Sequence, residues 1–347
     1  MNIAYIITGL ACGGAEAQLA TICDYLKDEH NVQVFSIANN NEILDRFSGV
    51  KVSFYNVKNI FHIYKLYSEL KKFNPDIIHS HMIHSNIISP PIAKFLGKPC
   101  FVTSHNTVEG SKFRLNVLKL IYNIFKPNVS HVSKRSLTDY IDKGVCTRGE
   151  IYINPIDLLK FRKGSLTLNE PAKWINIASL TDQKRHDRMI RVFEEHLLKY
   201  PDDTLDIYGN GPNFTACQKL VSKLNLDDRI KLRGVSRDVS LPLASSDYFL
   251  MSSDWEGLPV SIIEALASCV PVVSTNCGDI DLVVNDGVNG AVCDIDNDSL
   301  LNAMNRIREL RGEEYSKLAQ NAETSVEYYS VESISEKLVC WYKRSLT

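Results

Sequence analysis

The stretch SSDWEGLPVSIIE, from Ser252 to Glu264, sets two carboxylates, Glu256 and Glu264, at the spacing E-x7-E around a loop-to-helix turn. The apolar run Tyr248–Ser252 reads as the strand that enters the turn, and Pro259 falls near the first turn of the helix that leaves it. Gly257 and the bare amides at such a helix start can cradle a diphosphate, because a helix N-terminus carries unpaired N–H groups and partial positive charge. A carboxylate beside phosphate repels it, so Glu256 is better suited to neutral sugar hydroxyls. Glu264 lies in an otherwise apolar helical stretch, where a carboxylate needs a partner. Two ribose hydroxyls would serve by paired hydrogen bonds; so would a structural ion pair.

A second turn with chemical potential comes after the first apolar run. Gly9, Gly13 and Gly14 stand between strand Ile3–Thr8 and a helix that starts near Ala15. Glycines there allow close backbone approach to a ligand, and a tight structural turn is the alternative use. The spacing is not GxGxxG, and no acidic residue follows a second strand in the dinucleotide manner, which argues against nicotinamide binding. His79, His81, His84 and His105 gather at strand ends, but no carboxylate or cysteine completes a metal set at ligand spacing. They are expected to pack or to face a cleft. The DIDND run, Asp294–Asp298, lacks the glycine and closing glutamate of a calcium loop; Asp298 is expected to cap a helix beginning at Ser299.

Positioning these residues requires strands and helices in alternation. Strands are expected at Ile3–Thr8, Val32–Ile37, Val52–Tyr55, Ile77–His79, Cys100–Ser104, Val129–Val132 and Ile151–Ile153. A second series comes at Trp174–Ala178, Asp206–Tyr208, Ile230–Arg233, Tyr248–Ser252, Val270–Ser274 and Ala291–Cys293. Helical stretches intervene, among them Ala15–Lys27, Arg188–Lys199, Asn213–Leu224 and Val260–Ser268. Strand and helix alternating in two series predict two doubly wound, Rossmann-like α/β domains, as the length of 347 residues allows. The polar stretch KFRKGSLTLNEP, Lys160–Pro171, predicts the boundary: residues 1–163 and 164–330, then a helix over 331–347 that returns to the first domain.

Residues 1–164 carry 20 Lys+Arg against 13 Asp+Glu, a net of +7; the remainder carries 19 against 28, a net of -9, which recovers the overall -2. A basic first half points to an anionic partner such as a membrane surface, and no aromatic-basic interleaving points to nucleic acid. Nine scattered cysteines with no CxxC pair fit a reducing cytosol and no structural zinc. The first apolar run is short, lacks a basic flank and reads as a buried strand rather than a signal peptide. No run reaches the roughly 20 apolar residues of a membrane span.

EGLPVSIIE matches the E-x7-E motif of GT-B glycosyltransferases, and the chain resembles their retaining family four along nearly its whole length. GGAEAQLA is similar to that family's glycine-rich first loop, and HSHMIHSN (from His79) and TSHNTVEG (from Thr103) to its acceptor-side segments. INPIDLLKF (from Ile153) resembles the interdomain segment, with Pro155 in place of a glycine, which should stiffen the link. ASLTDQKRHDRMI (from Ala178), LDIYGNGP and IKLRGVSRDV resemble the nucleotide-side elements. The resemblance implies two domains facing a central cleft. It implies that His105 lines the reaction centre, Lys184 pairs with the diphosphate and Glu256 holds sugar hydroxyls, as the catalytic set. It implies donor binding by Gly13, Gly14, Gly257, Leu258, Pro259 and Glu264, the last on the ribose, with Gly209, Gly211 and Val235 framing the base. Ser179 stands where the family usually has arginine, and Arg185 is the candidate replacement. Cys269 and Leu282 occupy positions that are usually glycine and glutamate.

The activity that the resemblance implies is a metal-independent, retaining transfer of a hexosyl-type sugar from a UDP-sugar, without a cofactor. The acceptor would be a hydroxyl of a polyprenyl-diphosphate-linked or growing cell-surface glycan such as O-antigen or capsule. The place would be the cytoplasm or the inner face of a membrane. A UDP-GlcNAc 2-epimerase and a non-catalytic nucleotide-sugar-binding scaffold are the rival readings, separable by turnover without acceptor and by binding without turnover.

Overall fold

The computed structural model describes every residue except 12, 58, 106–111, 162–165, 237 and 347. Two compact units emerge: Met1–Ile156 with Tyr329–Thr347, and Asp157–Tyr328. The first carries seven parallel strands: β1 (Asn2–Ile7), β2 (Asn31–Ser36), β3 (Lys51–Phe54), β4 (Ile77–His81), β5 (Cys100–Ser104), β6 (Asn128–His131) and β7 (Glu150–Ile151), in the order β3-β2-β1-β4-β5-β6-β7. Its helices are α1 (Gly14–Leu26), α2 (Ile60–Phe73), α3 (Ile83–Leu96), α4 (Lys112–Phe125) and α5 (Lys134–Asp142). β4 and β5 are buried along their whole length. A parallel strand covered on both faces needs an apolar or internally bonded side chain at every position, which is why these segments lack polar alternation. α1 arises from a run of good helix formers after Gly14, and its Leu19, Ile22, Cys23 and Leu26 turn one apolar stripe into the core.

The second unit has six parallel strands: β8 (Lys173–Ile177), β9 (Thr204–Tyr208), β10 (Ile230–Gly234), β11 (Tyr248–Met251), β12 (Val272–Thr275) and β13 (Gly290–Cys293), in the order β10-β9-β8-β11-β12-β13. Helices α6 (His186–Leu197), α7 (Phe214–Lys223), α8 (Ser240–Ala244), α9 (Val260–Ala267), α10 (Asn297–Arg308) and α11 (Gly312–Thr324) surround them. Trp174 stacks on Tyr248 with ring centroids 4.6 Å apart. Beneath them the buried Arg308 pairs with Asp203 at 2.8 Å and Glu170 at 2.7 Å, tying α10 to the segment ahead of β8. Removing Arg308 would leave the Asp203 carboxylate buried without its cation, which costs about 3–5 kcal/mol.

The last helix, α12 (Val331–Arg344), belongs to the first unit. Ile334, Leu338, Trp341 and Tyr342 join that unit's core. The Tyr342 hydroxyl meets Tyr5 at 3.1 Å and His79 Nδ1 at 2.6 Å.

All thirteen expected strands are present, and the alternation forms two Rossmann-like sheets. One local expectation fails. The cap of α10 is Asp296, not Asp298: Asp296 is extended and its carboxylate accepts from the Ser299 amide at 2.7 Å, so the helix starts two residues early at Asn297. Pro259, expected near the first turn of its helix, is the cap of α9, with an extended ψ of 127°. Residues 162–165 of the expected linker and 106–110 of TSHNTVEG lie outside the described residues.

The order of each sheet reverses once, between β1 and β4 and between β8 and β11. At such a point the connections depart to opposite sides and leave a crevice at the strands' carboxyl ends. Among the described residues, no helix is long and apolar enough to cross a membrane.

Burial holds His79 at about 3 and His105, His131 and His186 at about 4. The unfolded chain takes up these protons near pH 6.5, so acid favours unfolding: stability is unaffected above about pH 7 and falls as pH drops toward 4. Each histidine costs roughly 1–2 kcal/mol at pH 5. Melting scans should show a fall in Tm of several degrees between pH 7.5 and 5; an unchanged Tm would contradict the buried neutral state.

Candidate active site

Two loops of the second unit meet at its switch point. One leaves β8, runs through a 3-10 turn at Asp182–Lys184 and enters α6; the other leaves β11 and enters α9. Lys184 Nζ lies 2.5 Å from Glu256 Oε1, with both side chains largely buried. Ser253 Oγ donates to the same carboxylate oxygen at 2.7 Å, and Gln183 Nε2 donates to Oε2 at 3.4 Å and to the Trp255 carbonyl at 2.7 Å. The Asp254 amide donates to the Gln183 carbonyl at 2.9 Å, so backbone and side chains both stitch the loops together. Thus the sequence-predicted Lys184 and Glu256 do converge, and on each other.

Beside them a charge lattice fixes the platform. Asp254 takes Arg188 at 2.8 Å and Arg185 at 3.0 Å, while Arg185 also forks onto Asp187 at 3.0 and 3.1 Å. The hydrogen bonds to Asp187 and Asp254 push the Arg185 guanidinium further toward permanent charge. Arg185, the candidate replacement for the arginine expected at Ser179, thus holds two carboxylates, Asp187 and Asp254. Ser252 Oγ donates to the Lys184 and Arg185 carbonyls at 3.0 and 2.9 Å, which seats Arg185 in its left-handed conformation, φ 49°.

The remaining second-unit residues lie at the same carboxyl end of the sheet. Gly209 and Gly211 come after β9, where a Cβ on either would collide with the backbone of Ala178 and Leu180. Packing alone therefore accounts for both glycines. The Gly209 amide reaches the Gly234 carbonyl at 2.8 Å, and Val235, exposed, comes next. Leu258 is buried and Gly257 half-buried ahead of the α9 cap at Pro259; Glu264 is half-buried within α9.

In the first unit, Gly13 caps α1 and Gly14 begins it. Glu16, buried in the first helical turn, folds its carboxylate back against Gly13, where a Cβ would strike it. Burial raises its pKa, and hydrogen bonds from its own amide and that of Ala11 oppose the rise. One amide of this helix start, that of Glu16, is thus partnered by its own carboxylate, and that carboxylate against Gly13 favours neutral hydroxyls over a diphosphate there. His105 comes just after β5, and its Nε2 lies 3.0 Å from Nδ1 of His81, the last residue of β4. His79 and His81 are buried, while His84 is exposed at the start of α3. Among the described residues no group of His, Cys, Asp and Glu gathers as a metal site.

The family Glycosyltransferase Family 4 matches residues 12–157, and Glycosyl transferases group 1 matches residues 159–325. The chain is a member of the GT-B glycosyltransferases. An uncharacterised glycosyltransferase of Methanocaldococcus jannaschii is 29% identical over 243 residues, spanning 62% of this chain and 59% of its own length. The Escherichia coli UDP-Gal:alpha-D-GlcNAc-diphosphoundecaprenol alpha-1,3-galactosyltransferase is 26% identical over 283 residues, spanning 73% of this chain and 71% of that protein. Among solved structures, Anabaena HepE in complex with UDP and glucose matches with a TM-score of 0.86 at 18% identity, covering 99% of this chain and 100% of that one.

In this GT-B chain the sequence reading missed several positioning residues. Gln183 and Ser253 grip Glu256, and Asp254 anchors two arginines. Gly278 matters most. Its φ is +73°, a Cβ there would strike the Glu256 and Gly257 carbonyls, and the next amide, Asp279, donates to the Gly257 carbonyl at 3.0 Å. Gly287 has nearly the same φ, +72°, but faces open space. Both Gly→Ala changes carry a left-handed strain of about 1–2 kcal/mol; only Gly278→Ala displaces the Glu256 loop. Calorimetry with UDP should show at least a tenfold loss, about 1.4 kcal/mol, for Gly278→Ala and little for Gly287→Ala. Equal affinities in the two variants would contradict this role for the loop.

Proposed function

We propose that the chain is a retaining, metal-independent glycosyltransferase that moves a hexosyl-type sugar from UDP-sugar to a hydroxyl of a lipid-linked or growing cell-surface glycan. The observation that carries this reading is the Lys184–Glu256 pair at the second unit's switch point. Donor binding is then an exchange of partners: Glu256 trades the ammonium for sugar hydroxyls, and Lys184 trades the carboxylate for diphosphate oxygens. Neither charge is left alone, and the amides after Gly257 add further donors at the α9 start. The UDP held by the structural relative HepE supports the donor, and the undecaprenyl-diphosphate named for the galactosyltransferase supports the acceptor.

As the glycosidic bond loosens, negative charge builds on the leaving diphosphate. Lys184 stabilises it, and the leaving phosphate accepts the proton of an acceptor hydroxyl that enters from the same face. The chain supplies position and electrostatics rather than a covalent intermediate. Glu264 holds the ribose, and His105 and the Gly13-Gly14 turn hold the sugar.

Lys184→Ala and Glu256→Ala should each lower transfer by at least about 100-fold, the scale of losing one preorganised charge stabiliser, in a chain that still folds but melts earlier because the remaining charge is buried without its partner. Near-normal turnover in either variant would sink the assignment. A donor panel assayed without acceptor would expose the 2-epimerase alternative; donor binding with no transfer to any acceptor would favour the scaffold reading, to which Ser179 and the committed Arg185 contribute.

The same reading places the protein in the cytoplasm, against an anionic inner-membrane surface. Helix α4 leaves Phe113, Leu120 and Ile124 exposed while burying Leu118 and Tyr122, and Lys112, Arg114 and Lys119 lie among them. Apolar side chains amid cations on a helix face suit a headgroup boundary. Vesicles with anionic lipid should bind the protein at low salt and release it at high salt; equal binding to neutral vesicles would contradict the electrostatic part.

A further inference from the structure

Two histidines at the end of β4 have unlike surroundings. His79 is answered at both nitrogens, by Tyr342 at 2.6 Å and by Thr103 Oγ1 at 2.7 Å. His81 has one partner, His105 Nε2, 3.0 Å from its Nδ1. Its Nε2 is buried and meets no hydrogen-bonding group among the described residues. Among the atoms that share that condition are Nε2 of Gln18, on α1, and Oδ1 of Asn154, beyond β7. Gln18, His81 and Asn154 are 5%, 3% and 7% exposed, so none of these atoms reaches bulk solvent by ordinary motion. All three residues line one cavity of about 20 Å³, together with His105. That volume accommodates one water molecule, and three polar partners are what a buried water needs.

We propose that one water molecule occupies this cavity, bridging Gln18, His81 and Asn154, and that through it His81 is a positioning residue that fixes the tautomer of His105. The water accepts from Gln18 Nε2 and has two protons to place. Asn154 Oδ1 takes one. If His81 carried its proton on Nε2, the second water proton would find no acceptor among the cavity's unpartnered side-chain atoms, which are then Gln18 Nε2 and the already used Asn154 Oδ1. An orphaned buried donor costs more than an unused lone pair. In the satisfied arrangement the water donates to His81 Nε2. The His81 proton then sits on Nδ1 and is donated to His105 Nε2, so His105 carries its own proton on Nδ1. His105 therefore offers a ligand an N–H donor rather than a lone pair, which suits an oxygen of a sugar hydroxyl. Both rings are held neutral, burial lowering each pKa. The consequence for turnover rests on the proposed contact of His105 with the donor sugar; the tautomer does not.

The test is a long-range proton–nitrogen spectrum of the 15N-labelled full chain at neutral pH, with His105→Gln and His81→Phe providing assignments. Wild type should show both His81 and His105 protonated on Nδ1; a proton on Nε2 of His105 overturns the proposal, and this spectrum decides even where a variant fails to fold. In His81→Asn, whose amide can donate from the place of Nδ1–H, His105 should keep its tautomer and kcat should stay close to wild type. In His81→Phe, which keeps ring volume, the tautomers of His105 should mix and kcat should fall about tenfold, the worth of one hydrogen bond, with KM for the donor little changed. Equal losses in both variants with the tautomer unchanged would make His81 a packing residue and overturn the proposal. The expected tautomer in a chain that transfers no sugar would uphold the proposal and remove the proposed function instead.

Discussion

A lysine ammonium held 2.5 Å from a carboxylate joins two loops that the chain separates by 72 residues. Each charge is largely buried and would be costly alone, so Lys184 and Glu256 keep the ends of β8 and β11 in register with each other. On the proposed reading the pair is also the lock that a donor opens. A nucleotide-diphosphate sugar brings both replacements at once, anionic oxygens for the lysine and hydroxyls for the glutamate. A ligand with only one of these leaves the other charge without a partner, and that is a physical basis for requiring the whole donor.

The surrounding structure serves this exchange by holding backbone, not by adding charge. Gly278 lets the Glu256 loop lie against the turn after β12, and Gly209 and Gly211 let the turn after β9 lie against Ala178–Leu180. Asp254 collects Arg185 and Arg188 into a rigid shelf beside the pair. On the proposed reading, with Ser179 in the place of an arginine and Arg185 on two carboxylates, Lys184 and the helix start would carry more of the diphosphate charge than the family pattern implies. In the first unit the Glu16 carboxylate lies against Gly13 at the α1 start, and His81 Nδ1 meets His105 Nε2.

Much of this was legible in the chain. Parallel strands buried on both faces produce dense apolar runs, so IAYII, CFVTS and VVST could be read directly, and alternation with helices gave the two sheets. The E-x7-E spacing located a loop-to-helix turn because strand, glycine and proline punctuate it. What spacing does not encode is which side chains meet across distant segments. The contact of Lys184 with Glu256, the capture of Arg185 by Asp254 and the meeting of His81 with His105 arise from strand adjacency, β8 beside β11 and β4 beside β5. Asp296 outcompeted Asp298 as a cap because the chain is still extended there, a difference that composition leaves open. For Gly278, only the carbonyls packed over it show why a side chain is barred.

Amide hydrogen exchange with and without UDP measures the central claim most directly. Exchange should slow at 182–188 and 256–263, the two loops that flank the Lys184–Glu256 pair, with the strongest effect at the α9 start. Protection absent from both segments and confined to the far side of the second unit, around α10 and β13, would contradict the role given to that pair.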